Sequence, residues 1–280
     1  MHFETQYIAL GKSLIENGTW IDNPRTGVRC LTGRTVVFTY DCEKDNYPMI
    51  TLRKSFWKSA ASEIIGYLQG VTNAQEMADL GSPTWFANAN ENNSWLNNPH
   101  RKGENDMGFC YGAVGHDFGG IDQFKKVIDD LSNGVDDRGE IITYWKPDEF
   151  YRASLRPCMH SFQFTLIDGV LDMQATQRSA DVPLGLVANA QQCYLLLSLV
   201  AHVTGHTAGM VTHVINNPHI YENQYDDFLK MMDREPIPCE PTLTIDGIST
   251  WDDIMNIKNL SGWSLDGYEH HDPIKFEMTA

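Results

Sequence analysis

Two hydrophobic periods alternate along this chain. Phe56, Ala60, Ile64, Tyr67 and Leu68 recur at the spacing of one helical face, which predicts a helix over residues 55–70 closed by Gly70. The opening segment MHFETQYIALGKSLIENG is amphipathic in the same way and stops at Asn17-Gly18. A shorter amphipathic helix is predicted over 121–131, and residues 189–204 form the most apolar helix, expected at the centre of the fold. Period-two alternation predicts strands over 34–40, 210–215 and, after the turn Asp136-Asp137-Arg138-Gly139, over 140–145. Residues 161–167 and 170–176 alternate around Asp168-Gly169, a strong hairpin signal. Between 81 and 120 Asn, Gly and Asp crowd around Trp85, Trp95 and Tyr111, which reads as a long loop of the kind that often carries function. The tail from Leu243 is polar. Without a repeat, a low-complexity segment or a linker, residues 1–280 are expected to form a single α/β domain.

Candidate chemistry concentrates in residues 155–189. Cys158 follows Arg156-Pro157, and the hairpin behind it returns the chain to Gln177-Arg178-Ser179, so both ends should meet at one sheet edge. A thiol beside a guanidinium and a hydroxyl suits covalent catalysis on an anionic substrate. Glu63 flanks the apolar stripe of its helix; a carboxylate desolvated there becomes a candidate proton shuttle, and the blander alternative is a solvated or structurally paired glutamate. Arg25, in the polar loop 23–27, has the ordinary alternative of a solvated loop charge. His202 and His206 stand four apart like half of a zinc site, but no acid lies between them and no third ligand is evident, so a structural role and no metal are expected.

Charge then narrows the partners. The formal net charge of −16 over 280 residues argues against nucleic-acid and anionic-membrane surfaces, which need basic patches. A phosphate would have to be met by a few local arginines, which suits a small nucleotide better than a polymer. The N-terminus lacks the basic start, apolar run and small-residue site of a secretory signal. The longest apolar run, 193–203, is interrupted by Ser198 and His202, and no membrane span is expected. Six dispersed cysteines without CxxC pairs are expected to be reduced thiols in a cytoplasmic protein.

Taken together, Arg156-Pro157-Cys158, Gln-Arg-Ser-x-Asp-Val-Pro-Leu-Gly-Leu at 177–186 and His219-Ile220-Tyr221 resemble the thymidylate synthase family. Glu-Ile-Ile-Gly-Tyr-Leu-Gln-Gly at 63–70, the Arg-Thr-Gly loop at 25–27 and Arg234-Glu235-Pro236 extend the likeness over nearly the whole chain, in the family's order. The resemblance implies a mixed sheet flanked by helices, and a homodimer formed by packing sheets back to back. It also implies deoxyuridylate and 5,10-methylenetetrahydrofolate as substrate and one-carbon donor. Cys158 would attack C6 of the pyrimidine so that C5 can capture the one-carbon unit. Arg25, Gln177, Arg178 and Ser179, with Arg138 donated by the second subunit, would hold the nucleotide, arginine suiting phosphate by its planar fork. His219 and Tyr221 would bond the deoxyribose hydroxyl. Asn189 would read the base edge in favour of uracil, and Glu63 would organise water near O4. Trp85 and Tyr111 would line the reaction cavity, and Trp85, Asp181, Leu184 and Gly185 would meet the folate.

Several positions depart from the family pattern. Phe86 stands where an acid usually follows the cavity tryptophan, Gly-Ala-Val-Gly-His at 112–116 lacks a Gln and an Arg, and Ala188 replaces a Phe before the base-reading Asn. Loss of bulk and charge there could admit water to the exocyclic methylene, as in the phage-type nucleotide hydroxymethylases. The expected product is therefore 5-hydroxymethyldeoxyuridylate, with thymidylate and dihydrofolate as the alternative. An inactive family member kept as a binding protein is the remaining reading, against which Cys158, Arg178, Asn189 and His219 all speak.

Overall fold

The structure is a computed structural model and describes residues 2–24, 26–44 and 46–279. The described strands are β1 (Thr19–Ile21), β2 (Cys30–Thr32), β3 (Val36–Asp41), β4 (Ile141–Thr143), β5 (Met159–Ile167), β6 (Val170–Gln177), β7 (Ala180–Asp181), β8 (Thr207–Ile215), β9 (Pro218–Tyr221), β10 (Thr242–Thr244) and β11 (Ser264–Asp266). The helices are α1 (Phe3–Asn17), α2 (Trp57–Leu68), α3 (Ala74–Leu80), α4 (Phe86–Asn90), α5 (Asn93–Leu96), α6 (Gly112–His116), α7 (Gln123–Ser132), α8 (Leu186–Thr204), α9 (Tyr225–Met232) and α10 (Trp251–Asn256). This is the mixed α/β architecture expected from the alternating periods.

The main sheet runs β3-β8-β6-β5-β4, antiparallel except for the β6–β8 pair. That one parallel pair requires a crossover, and α8 supplies it. The β5–β6 turn is the expected one: Asp168 and Gly169 take φ of 50° and 78°, the left-handed pair that a two-residue hairpin with the right twist demands. Along β3, β5, β6 and β8 one face buries Phe38, Phe162, Phe164, Leu171, Met173, Ala175 and Val211, while the other leaves Val37, Val170 and Met210 partly open to solvent. A smaller sheet, β1-β2-β9-β7, brings β9 alongside Asp181.

Helix α8 begins at Leu186, three residues earlier than its apolar run suggested, and Gly205 (φ 78°) ends it by donating to the carbonyls of Ala201 and His202. At 19 residues it is long and apolar enough to cross a membrane by length and composition alone. Leu195, Leu196 and Leu197 are nevertheless fully buried, so here an all-round apolar surface serves a core helix. His202 and His206 turn away from one another and donate from Nε2 to the carbonyls of Ile248 (3.0 Å) and Leu131 (2.8 Å).

The expected loop at 81–120 is instead a series of very short helices, including α4, α5, α6 and a 3-10 turn at Pro83–Trp85. The residues that read as loop are their punctuation. Asn92 caps α5 by accepting from the N–H groups of Ser94 and Trp95, and Pro83 opens the 3-10 turn. Helices of one turn are too short to show a period. For the same reason α3, capped by Asn73, and α10, opened by a capping box at Thr250, went unread within polar stretches.

Candidate active site

Cys158 lies one residue before β5, where the register against β6 slips between Met159 and Ser161. Such a bulge re-aims the chain at a sheet edge. The Cys158 carbonyl accepts from the Arg178 N–H at 2.9 Å, so the hairpin does return the two residues to each other. The guanidinium of Arg178 is then fixed by the carbonyls of Pro157 (Nε, 2.8 Å) and Arg156 (Nη2, 3.1 Å) and lies against the Trp145 ring. Its Nη2 stands 3.8 Å from the Cys158 sulfur, and the Ser179 hydroxyl lies 4.0 Å from the same atom. The expected thiol–guanidinium–hydroxyl cluster is therefore present.

Across from the sulfur stands an aromatic wall. The Cys158 N–H donates to the Tyr111 hydroxyl at 2.9 Å, and Tyr111 stacks on Tyr67 with centroids 4.5 Å apart and planes within 6°. Trp85 meets both rings edge-on. Tyr111 has φ of 40°, a backbone conformation that L side chains rarely adopt. The next residue must be glycine: a Cβ on Gly112 would lie 2.4 Å from the Tyr67 carbonyl, so the close approach of α6 to α2 depends on it.

Glu63 faces this wall from α2. Its carboxylate accepts from Trp85 Nε1 at 2.8 Å, Thr84 Oγ1 at 3.0 Å and Gln192 Nε2 at 2.5 Å. Burial raises its pKa above the usual carboxylate range, against the pull of these donors. The glutamate is thus both paired and desolvated.

Asn189, on the first turn of α8, joins the two clusters. Its Nδ2 donates to Gln192 Oε1 at 3.1 Å, and its Oδ1 accepts from Gln177 Nε2 at 2.9 Å. Gln177 also donates to the Ser179 carbonyl at 3.0 Å. Gln192, Thr84, Tyr67 and Trp145 escaped the sequence reading. Gln192 carried a signal in its helical spacing of three from Asn189, and Tyr67 in its spacing of four from Glu63 within the same block.

Asp181 is held by the Leu184 N–H at 3.0 Å and by Gln224 Nε2 at 2.9 Å, and desolvation raises its pKa. The Gly185 N–H donates to the Asp181 carbonyl, so Leu184 and Gly185 form one turn with it. On β9, His219 pairs in register with Asp181, bonds the Asn217 carbonyl through Nδ1 at 3.0 Å, and meets the Tyr221 ring edge-on. Arg138 is exposed, with φ of 72° and its N–H on Asp136, away from these residues. Arg25 lies outside the described residues.

The departures from the family pattern do not all face the cavity. His116 bridges α2 to the start of α7, with Nε2 on the Leu68 carbonyl (2.7 Å) and Nδ1 on the capping carboxylate of Asp122 (3.0 Å). Gly115 lets Phe124 approach, since a Cβ there would lie 2.2 Å from that ring. Phe86 packs against the main core, and Ala188 stays partly exposed on α8.

Comparison with known proteins agrees with this geometry. The family model for thymidylate synthase matches residues 5–280. A thymidylate synthase from Marinomonas sp. is 49% identical, with 98% of this chain and 99% of that protein covered. Those of Glaesserella parasuis and Vibrio parahaemolyticus are 47% and 46% identical over the same shares.

Proposed function

Because this chain belongs to the thymidylate synthase family, a family of one-carbon transferases acting on deoxyuridylate, we propose that it makes thymidylate and dihydrofolate from deoxyuridylate and 5,10-methylenetetrahydrofolate. The observation that carries the site assignment is the placement of Cys158 between the Arg178 guanidinium, 3.8 Å from its sulfur, and the Tyr111–Glu63 wall. The thiolate adds to C6, the electron pair of the C5=C6 bond moves toward O4, and C5 becomes the carbon nucleophile. Glu63, a carboxylate whose pKa burial raises, is the group suited to handle protons near O4 through water. Asn189 meets the uracil edge, Arg178, Ser179 and Arg25 the phosphate, and His219 and Tyr221 the sugar hydroxyl.

The bound folate supplies the one-carbon unit and, for a methyl product, the hydride. The residues present suit such a ring: Asp181 offers a buried carboxylate to pterin N–H donors, and Trp85 a flat apolar wall. Arg53 Nε, buried without a partner among the described residues while Nη2 binds the Pro183 carbonyl, adds a donor close to the Leu184–Gly185 turn.

A methyl product is favoured over the hydroxymethyl product expected from the departures. Relatives 46–49% identical over nearly full length are named thymidylate synthases and come from bacteria, not phage. His116 also spends both ring nitrogens on α2 and α7, so that one departure points away from the cavity. The 1–280 chain acts in this reading as one cytoplasmic catalytic domain. It dimerises through the open face of the main sheet, so that Arg138 reaches the partner's phosphate. The test is the mass of the nucleotide product with dihydrofolate absorbance followed alongside. A methyl product with stoichiometric dihydrofolate is expected, and a hydroxymethyl product without it would overturn the reading.

A further inference from the structure

We propose that His213, a buried histidine on β8 outside the cavity, is a positioning residue that strengthens the uracil-over-cytosine preference by helping to hold the Asn189 amide the right way round for the base. The inference rests on the reading that Asn189 meets the pyrimidine edge.

Five side-chain hydrogen bonds run in line from His213's neighbour to the cavity. Tyr40 Oη meets His213 Nδ1 at 2.8 Å, and His213 Nε2 meets Gln177 Oε1 at 2.9 Å. Gln177 Nε2 then bonds Asn189 Oδ1, Asn189 Nδ2 bonds Gln192 Oε1, and Gln192 Nε2 bonds the Glu63 carboxylate. Chemistry gives this line a single direction. While Glu63 is ionised it only accepts, so Gln192 presents its NH2 to Glu63 and its oxygen to Asn189. Asn189 must then donate to Gln192 and accept from Gln177. The backbone carbonyl of Ser179, 3.0 Å from Gln177 Nε2, demands the same orientation of Gln177 independently.

The oxygen of Gln177 is thereby aimed at His213, which has to donate from Nε2. His213 is completely buried, and desolvation lowers its pKa to about 3, so the ring is neutral and carries one proton. With that proton on Nε2, Nδ1 is bare and receives the Tyr40 hydroxyl. The other tautomer would set a lone pair of His213 against the oxygen of Gln177. Relieving that clash by turning Gln177 over would set its oxygen against the Ser179 carbonyl.

The consequence appears at Asn189. With one acceptor site and one N–H engaged internally, its amide keeps one N–H and one lone pair for a ligand. A uracil edge offers the matching pair, an accepting O4 and a donating N3–H. A cytosine edge offers the reverse, a donating N4 amino group and an accepting N3. Turning Asn189 over would exchange the two preferences, and the His213 end of the line opposes that turn.

The experiment measures the ratio of Kd values for deoxyuridylate and deoxycytidylate in the wild type, His213→Leu, His213→Gln and Asn189→Asp. His213→Leu should reduce discrimination about tenfold, equivalent to ~1.4 kcal/mol, mainly through weaker deoxyuridylate binding. His213→Gln can still donate from Nε2 and accept through Oε1, and should stay within about threefold of wild type. An unchanged ratio in His213→Leu, with Asn189→Asp shifting it, overturns the proposal and leaves the base-reading assignment standing. If neither variant moves the ratio, that assignment fails as well. Should His213→Leu not fold, the 15N spectrum of the wild-type ring, assigned by difference with His213→Gln, decides. A proton on Nε2 supports the proposal and a proton on Nδ1 overturns it.

Discussion

Replacing Glu63 by glutamine changes one atom group and keeps the shape of the side chain. The wild-type carboxylate takes the Trp85 indole N–H and the Thr84 hydroxyl on Oε1, and Gln192 on Oε2. A glutamine must put an NH2 at one of those ends. On the Trp85 side it meets an indole N–H, which has no acceptor to offer, and a buried donor is left facing a donor. On the Gln192 side it forces Gln192 to turn over, which sets two NH2 groups together at Asn189. Either way one buried polar group loses its partner, at a cost of about 1–3 kcal/mol, or roughly 5- to 150-fold in kcat/KM. Loss of the proton-handling group adds its own factor of about 10²–10⁴ in kcat. Two assays separate the effects: the rate of covalent adduct formation with fluorodeoxyuridylate should fall modestly, and turnover should fall far more. Glu63 titrates above its ordinary 4.5 in the folded protein, so the native state loses stability as pH rises from 4.5 through the folded value. Glu63→Gln should lack that loss. Turnover within threefold of wild type at neutral pH would refute the role given to this carboxylate.

Cys158→Ser should abolish adduct and turnover while leaving deoxyuridylate affinity within about threefold, since the sulfur is not among the groups assigned to hold the nucleotide; substantial turnover would remove it as nucleophile. Arg138→Ala should raise the KM for deoxyuridylate with little change in Tm, because the side chain is exposed and makes no ion pair among the described residues. Mixing Arg138→Ala with Cys158→Ser should restore roughly a quarter of wild-type activity if subunits exchange and Arg138 acts across a two-fold interface; no recovery in proven heterodimers would place Arg138 in its own subunit's site or in none. Acid should destabilise the protein through His213. Its folded pKa of about 3 lies below the ordinary 6.5, so stability present above 6.5 is lost as pH falls toward 3, at up to ~1.4 kcal/mol per pH unit. His213→Gln should flatten that limb of a urea-denaturation series, and an unchanged limb would contradict the buried neutral ring.

What the sequence made legible follows from how far apart the partners lie. Cys158 and Arg178 belong to one hairpin with an Asp-Gly turn, and a local rule was enough to bring them together. Glu63 was recognisable as a carboxylate beside an apolar stripe, but its partner Gln192 is 129 residues away and no local pattern announces it. The Tyr40–His213 bond spans 173 residues, and within β8 His213 looks like any inward residue of a strand. The helices of 81–120 were hidden by their length, since a single turn shows caps and no period. His116 misled for a different reason. Its place in a motif suggested the cavity, and only the fold reveals that it turns toward Asp122.

The separation of partners also orders the way this site comes into being. A hairpin closes in about 1–10 μs, and the cost of closing a loop rises with its length. Cys158, Arg178 and Ser179 can therefore gather while the chain is still largely unfolded. Glu63, Asn189 and His219 must wait for α2, α8 and β9 to dock. During refolding the sulfur acquires its cationic neighbour before it acquires walls, and for that interval it is open to any alkylating or oxidising agent in solution. The vulnerable moment of this molecule lies ahead of its native state, in the time between a finished hairpin and a closed core.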